Sequence, residues 1–269
     1  MKLLSLVFDV GLSGCVVAFV AAILGVVTKR RFFVGLTTLL MVVTAVAQTT
    51  YIGLRWVEAG RPPFSNMFES VVLFAWAVVA IYLLLRFWIN FPLLAAPAAL
   101  TSALALVAAS AFLTSEIQPL VPALRSNWLT FHVFACFLGY GGFAVSCISS
   151  IGFLIADREG SDVPLETKDT LETVLTRTVS FGFIFLTLGI ITGAVWANSA
   201  WGTYWSWDPK ETWSLITWLI YATFLHCRFM RGWRGQRAAW ISIIGFAAVL
   251  FTYVGVNFWL SGLHSYGSK

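Results

Sequence analysis

The stretch Leu3–Thr28, LLSLVFDVGLSGCVVAFVAAILGVVT, is apolar throughout except for the single charge of Asp9. About 20 consecutive apolar residues are enough for a helix to cross a bilayer, so this stretch predicts a membrane span. Similar runs recur along nearly the whole chain. The strands of a membrane β-barrel would instead be about 10 residues long with alternating polarity. The pattern therefore indicates an all-α, polytopic membrane helical bundle.

The composition supports this fold class. Of the 269 residues, 59% are hydrophobic and 11% are charged, against roughly 45–50% and 25% in soluble domains. A soluble enzyme is thereby excluded, and we expect one integral membrane domain over residues 1–269. About eight spans are predicted, and they lie near residues 3–28, 32–57, 67–88, 91–114, 127–156, 178–199, 209–229 and 238–260.

The basic residues predict the orientation. Most of the 17 lysines and arginines fall on one side of the predicted spans, which the positive-inside rule assigns to the cytoplasm. Both termini and the segment Ala200–Asp208 would then face the outer, periplasmic side. This topology accounts for the net charge of +5, so no nucleic-acid partner is predicted. The basic residues on the inner side are Lys29, Arg30, Arg31, Arg86, Arg158, Lys168, Arg177, Arg228, Arg231, Arg234 and Arg237.

Two outer segments have the pattern of helix entrances. Asn66 with Glu69 three residues later predicts a capping box at the start of the third span. Asp208-Pro209-Lys210-Glu211 repeats the pattern, with proline at the first helical position. Capping is one interpretation of Asp208 and Glu211, and ligand binding by the same segment is the other.

The densest chemical pattern is WGTYWSWDPKETW, which begins at Trp201 and ends at Trp213. Tryptophans favour a bilayer interface, but an aromatic belt spreads its rings around a bundle. Here they crowd one segment, which would suit a large planar apolar ligand. The four tryptophans of this segment are Trp201, Trp205, Trp207 and Trp213.

The chain has three histidines. His132 lies near the outer end of the fifth span and His264 lies just beyond the last one, so the two could bind a haem iron from opposite faces. His226 lies about 20 Å below Trp213, at a depth where an ionisable group is a functional candidate. The alternatives are interfacial hydrogen bonding for the outer pair, and for His226 a bond to a neighbouring helix or a position near Arg228.

The tryptophan segment resembles the WWD signature of the haem-handling superfamily of cytochrome c maturation. The order of His132, the WWD segment, His226 and His264 resembles the CcsA (ResC) branch. The loop Gly60–Ser70 and the tail Asn257–Tyr266 extend the resemblance over most of the chain. The chain is therefore identified as a member of that family.

The resemblance implies a haem-lyase component of the System II holocytochrome c synthase, active with the membrane partner CcsB (ResB). Haem b would be carried to the outer face of the plasma (inner) membrane, or of a thylakoid membrane, and attached to the CXXCH cysteines of apocytochrome c. Thiol-reducing proteins are further partners. His132 and His264 would be the outer iron ligands and His226 an intramembrane ligand. The family's other intramembrane histidine has no counterpart here, so this chain would be one half of the machine. The WWD residues that would hold haem are Trp201, Trp205, Trp207, Asp208 and Trp213, and the cations available to its propionates are Arg55, Arg61, Arg125 and Lys210.

Three alternatives stay open at this point. A CcmC-type haem-delivery protein shares the WWD segment and two outer histidines, but six spans are expected of it. A b-type electron-transfer cytochrome would pair its histidines inside the bundle. A secondary transporter would use broken helices at mid-membrane, whereas Pro92 and Pro97 lie near one end of a span.

Overall fold

The computed structural model describes residues 2–120, 122–158, 161–260 and 262. Helices account for most of them, and no β-strand occurs within these ranges. The predicted fold class is confirmed. The chain forms two compact units, Met1–Pro119 and Leu120–Lys269. A single domain over 1–269 stays a prediction.

Unit 1 is built from four helices. They are α1 (Lys2–Thr28), α2 (Arg31–Ala59), α3 (Met67–Ile89) and α4 (Ala95–Phe112). Helix α1 packs on α2 and α4, and α3 packs on α4 and α2. Phe68, Val72 and Ala75 of α3 lie in the apolar core of this unit.

Unit 2 contains the remaining long helices. They are α5 (Asn127–Ala156), α6 (Leu165–Trp201), α7 (Pro209–Met230) and α8 (Gln236–Trp259), the last with a π-helical turn at Phe251–Gly255. Helix α5 packs along α6 and also contacts α8, which in turn packs on α7.

Aromatic and hydroxyl side chains join α5, α7 and α8. The rings of Phe143 and Tyr221 stack with centroids 3.6 Å apart. Ser146 Oγ lies 2.9 Å from Ser242 Oγ, and the Tyr221 hydroxyl donates to the Ser242 carbonyl at 3.4 Å. Hydroxyl contacts of this kind hold helices together where water is absent.

Within the described ranges, seven helices are long and apolar enough to cross a membrane, and together they make this a multi-pass membrane protein. Helix α7 is the exception among the eight predicted spans. Its 22 residues give a length of about 33 Å, which would suffice for the hydrocarbon core, but it is the least apolar of the long helices. Its crossing of the membrane therefore stays a prediction.

Helix α6 begins earlier than predicted. The sequence of segment 157–178 has helix-like character with mixed charge and predicts a solvated connector before a span at 178–199. In the structure α6 runs over 37 residues from Leu165 to Trp201, so most of this connector belongs to the same helix as the span. Leu171, Val174, Leu175 and Thr178 are buried, so an inward-facing stripe at helical spacing continues into the charged part. Hydropathy therefore predicted the apolar portion of α6 but not its continuity with the charged helical segment before it.

Polar contacts hold the end of unit 2 at which α6 begins. Lys168 Nζ lies 3.1 Å from Asp157 Oδ1, and Gln236 Nε2 donates to Asp157 Oδ2 at 3.1 Å. These bonds, the one from Gln236 first, hold the pKa of the Asp157 carboxyl below its usual value. Arg228 lies 3.4 Å from Glu172, which also accepts from the amide of Gly235. The connection between α7 and α8 is thereby bonded to α6.

Candidate functional site

His132 lies in the second turn of α5 and is bonded to α6. Its Nδ1 lies 2.7 Å from the carbonyl oxygen of Gly189. Because a carbonyl only accepts, Nδ1 carries the proton and the lone pair of the neutral ring is on Nε2. A backbone carbonyl on the far nitrogen is the usual arrangement for a histidine that binds a metal through the other nitrogen.

Trp196 forms a wall beside this imidazole. The two rings stack with centroids 6.0 Å apart and planes 18° apart. Trp196 Nε1 donates to the Ala123 carbonyl at 2.9 Å, which orients the indole. A Cβ on Gly193 would lie 2.6 Å from His132 Nδ1, so glycine is required there for the close approach of α6 to the ring.

The WWD segment, Trp201–Trp213, starts at the last residue of α6 and runs into α7. Trp201 meets Trp196 edge to face, with centroids 4.9 Å apart. His132, Trp196 and Trp201 therefore form one continuous group at this end of unit 2, which we call the WWD end.

A capping box shapes the second half of the segment. Asp208 Oδ1 accepts from the amide of Lys210 at 2.9 Å, and Glu211 Oε2 accepts from the amides of Ser206 at 2.7 Å and Asp208 at 3.2 Å. The capping prediction for Asp208 and Glu211 is confirmed. Glu211 thus organises the backbone on which the last tryptophans of the loop are mounted.

Trp207 has a strained backbone. Its φ of 60° lies in the left-handed region, which is an outlier for a bulky residue and costs about 1–3 kcal/mol. Its side chain is 69% exposed and meets Trp205 edge to face at 5.7 Å. A large apolar ring is therefore held outward at the expense of backbone strain.

Trp213 belongs to a second aromatic group. It packs on Phe251 at 4.2 Å, and Phe251 lies 5.9 Å from Trp259. Phe251 begins the π-helical turn of α8, a feature frequent at functional sites. The same turn leads toward Gly262, where a Cβ would lie 2.4 Å from Asp208 Oδ2. A side chain at position 262 would force Asp208 to shift, so glycine suits this close approach of the tail to the WWD segment.

The other predicted ligands are His226 and His264. His264 is outside the described residues. His226 lies on the exposed surface of α7, between buried Cys227 and half-buried Leu225. Arg228 bonds to Glu172 and to the carbonyl of Trp233. The outward position of His226 leaves its side chain available to a partner.

The cations considered for the propionates include a pair that is already bonded. In unit 1, Arg55 Nε and Arg61 Nη1 lie 2.9 and 3.0 Å from the two oxygens of Glu69, whose side chain is 0% exposed. In unit 2, Arg125 donates to the Leu120 carbonyl at 3.3 Å. The sequence pattern predicts a capping box for Glu69 and does not predict this ionic cluster. The sequence signal that could have indicated the cluster is the occurrence of two arginines and one acidic residue close together near a predicted helix entrance.

Comparison with known proteins supports one family. The family model described as cytochrome C assembly protein matches residues 64–264. The cytochrome c biogenesis protein CcsA of Synechococcus sp. strain CC9605 is 39% identical, over 97% of both chains. CcsA of Guillardia theta is 38% identical, over 89% of this chain and 87% of its own.

The fold also resembles a solved structure. The cytochrome c haem lyase CcmF superposes with a TM-score of 0.70 at 19% identity. The match covers 94% of this chain and 46% of the CcmF chain, so the chain spans less than half of that protein. At this identity the likeness concerns the fold alone.

Proposed function

Because the chain belongs to the CcsA family of cytochrome c biogenesis proteins, we propose that it is a subunit of the System II cytochrome c synthase. In this role it carries haem b to the outer face of the plasma or thylakoid membrane and presents it for attachment to the CXXCH cysteines of apocytochrome c. CcsB is the membrane partner, and thiol-reducing proteins keep the cysteines reduced. The single domain over 1–269 and the outward termini belong to the same proposal.

The observation that carries the proposal is the bond from His132 Nδ1 to the Gly189 carbonyl. It selects the tautomer whose Nε2 can bind iron and prevents the ring from turning over. Trp196 stacked on the ring adds an apolar wall that suits a porphyrin. The residues present at the WWD end therefore fit a haem.

The proposal includes two haem stations, an outer one at the WWD end and one within the membrane, and the remaining ligands belong to them. His264 supplies the second axial bond to the outer haem. This is supported by the approach to Asp208 of Gly262, which stands two positions before His264 in the sequence. Trp201, Trp205, Trp207 and Trp213 hold the macrocycle. His226, exposed on α7, is the intramembrane ligand before haem reaches the WWD end.

The chemistry requires little of the protein beyond positioning. In each attachment the sulfur–hydrogen bond of a cysteine breaks, a carbon–sulfur bond forms at one vinyl carbon, and the proton goes to the other. No oxidant is needed. Holding the vinyl edge still beside the peptide can supply about 7–11 kcal/mol through proximity and orientation. His132 and the tryptophans perform this holding.

The structure weakens one alternative reading. A b-type electron-transfer cytochrome pairs histidines across helices inside a bundle. Here His132 lies near one end of α5 and His226 faces outward from α7, so these two do not form such a pair.

The test is coexpression of the chain with CcsB and an apocytochrome reporter. We expect His132→Ala to remove most of the Soret absorbance of the purified complex and most of the holocytochrome. Cys136→Ala is the matched control. Cys136 Sγ lies 3.7 Å from His132 Nδ1, and its removal leaves the bond from His132 to the Gly189 carbonyl in place. Wild-type haem content in His132→Ala would contradict the proposal.

A substitution of His226 tests the intramembrane station separately from the outer one. Loss of His226 should lower the amount of haem in the complex while leaving the axial-ligand spectrum of the remaining haem unchanged. Equal haem occupancy with and without His226 would remove the intramembrane station and leave the outer one intact.

A further inference from the structure

Unit 1 contains a cavity of about 250 Å³ that no part of the proposed function uses. It lies between two parts of unit 1. One part is the end of α1 with the start of α2, and the other is the end of α3 with the start of α4. Its walls are mostly apolar. The lining residues that matter below are Ala22, Lys29, Thr37, Tyr82 and Ala95.

Tyr82 lines this cavity with its side chain. The residue is 1% exposed, and its buried hydroxyl interacts with Arg86 but makes no hydrogen bond of ordinary geometry. Thr37, by contrast, donates to the Phe33 carbonyl at 2.8 Å. Leaving a buried hydroxyl without a partner costs about 1–3 kcal/mol, so a ligand oxygen here would relieve that cost.

The surroundings of the cavity are strongly basic. Lys29 lines it, Arg30 and Arg31 follow directly, and Arg86 lies one turn beyond Tyr82 and interacts electrostatically with its hydroxyl. The Nε of Arg86 is also buried without an acceptor. The sequence has no acidic residue from 10 to 57 or from 70 to 115, so these stretches supply no carboxylate to balance the charge.

These features select an amphiphile. Apolar walls suit a hydrocarbon chain, while basic side chains at helix ends suit an anionic group at the depth of lipid headgroups. The lining contains no histidine, cysteine or methionine, which are among the usual ligands of haem iron.

We propose that this cavity binds one acyl chain of an anionic phospholipid from the surrounding membrane. The lipid phosphate lies against Lys29, and an ester or phosphate oxygen accepts from the Tyr82 hydroxyl. Arg86 adds a second positive charge. Such a lipid would fill the space between the α1–α2 pair and the α3–α4 pair within unit 1.

The test measures lipid retention by native mass spectrometry on the full chain purified in detergent. Palmitoyl-oleoyl phosphatidylglycerol and palmitoyl-oleoyl phosphatidylcholine are titrated in parallel. Each basic residue near a headgroup contributes about fivefold in affinity, so the wild type should retain one phosphatidylglycerol at least about fivefold more tightly. An equal affinity for the two lipids overturns the proposal.

Two variants and one control locate the binding. Ala22→Leu fills the cavity, and Tyr82→Phe combined with Lys29→Gln removes the polar contacts without filling it. Ala22→Leu should abolish the preference for phosphatidylglycerol, and the double variant, which keeps Arg86, should reduce it about fivefold. Arg234→Gln, an exposed arginine between α7 and α8, should keep it.

Folding of each variant is checked by its melting temperature and by gel filtration. If Ala22→Leu does not fold, the double variant decides, and an unchanged preference in it overturns the proposal. Glycerol phosphate tests the acyl chain. Competition by this headgroup fragment at the same concentration as the lipid would show a headgroup site without a chain and would also overturn it.

Discussion

The entrances of α3 and α7 look alike in sequence but bond differently. Asn66 and Asp208 each accept a backbone amide of the first turn, at 2.8 and 2.9 Å. Glu211 completes the box by accepting from the amide of Asp208. Glu69 does not accept a hydrogen bond from the amide of Asn66. Its carboxylate instead accepts from two guanidinium groups and from the amide of Ser65.

The difference follows from the donors within reach. Arg55 and Arg61 offer charged hydrogen bonds to Glu69, and these are roughly twice as strong as neutral ones. Glu211 is surrounded by backbone amides and the Ser206 hydroxyl, so it organises the loop. The same spacing thus produces a buried ionic anchor in unit 1 and a loop-shaping cap in unit 2.

The largest effect is expected for Glu69→Gln. It leaves Arg55 and Arg61 buried with no carboxylate, which costs about 3–5 kcal/mol in the free energy of unfolding. Thermal unfolding in detergent measures it. Glu58→Gln, which alters an exposed acid at the end of α2, is the control. Equal melting temperatures for the two variants would show that Glu69 is not an anchor.

Glu211→Ala should have a smaller effect on stability and a larger effect on function. The amides of Ser206 and Asp208 lose their acceptor, which costs about 1–3 kcal/mol, and the loop carrying Trp205 and Trp207 loosens. We expect less haem in the complex with CcsB at a modest loss of melting temperature. Full haem content in a folded variant would remove the loop-shaping role.

Asn66→Ala tests the cap of α3 apart from the anchor. Loss of the side-chain acceptor should cost about 0.5–2 kcal/mol, while the bonds of Glu69 to the arginines stay in place. A double-mutant cycle with Glu69→Gln checks this independence. A loss as large as that of Glu69→Gln would show that the cap holds the ion pairs together.

The smallest effect on stability is expected for Trp207→Gly. Glycine adopts a positive φ without strain, which stabilises the folded state, but it also loses more conformational entropy on folding. Because these two contributions to the free energy of unfolding oppose each other, the melting temperature should change little. The haem content of the complex should nevertheless fall. Tyr204→Gly is the control, because Tyr204 is also exposed, at 59%, and has no positive φ, so it should lose more stability.

Hydropathy predicted most of the fold because membrane spans leave a continuous signal in the sequence. Among the described residues, seven of the long helices follow it. The span at 209–229, which corresponds to α7, was predicted from its apolar run, with Asp208 as the cap. The continuity of α6 from Leu165 was not predicted, because the charged residues before 178 break the apolar run without breaking the helix.

The candidate site residues could be named from the sequence, but their arrangement could not, and their binding of haem stays a prediction. The unusual positions of His132 and the tryptophans could be read from the chain. The bond to Gly189 depends on how α5 lies against α6, 57 positions away in sequence. Likewise Arg55 lies 14 residues before Glu69, and nothing local shows that one turns toward the other.

The length of α6 fixes the distance between the two ends of this helix in unit 2. Its 37 residues extend over about 55 Å, well beyond the roughly 30 Å of a hydrocarbon core. Glu172, bonded to Arg228, and Trp201 lie about 44 Å apart along one helix axis. No proline interrupts the rod between them. Whatever the thickness of the surrounding bilayer, the spacing between the ionic end and the aromatic end is set by a single helix rather than by the membrane.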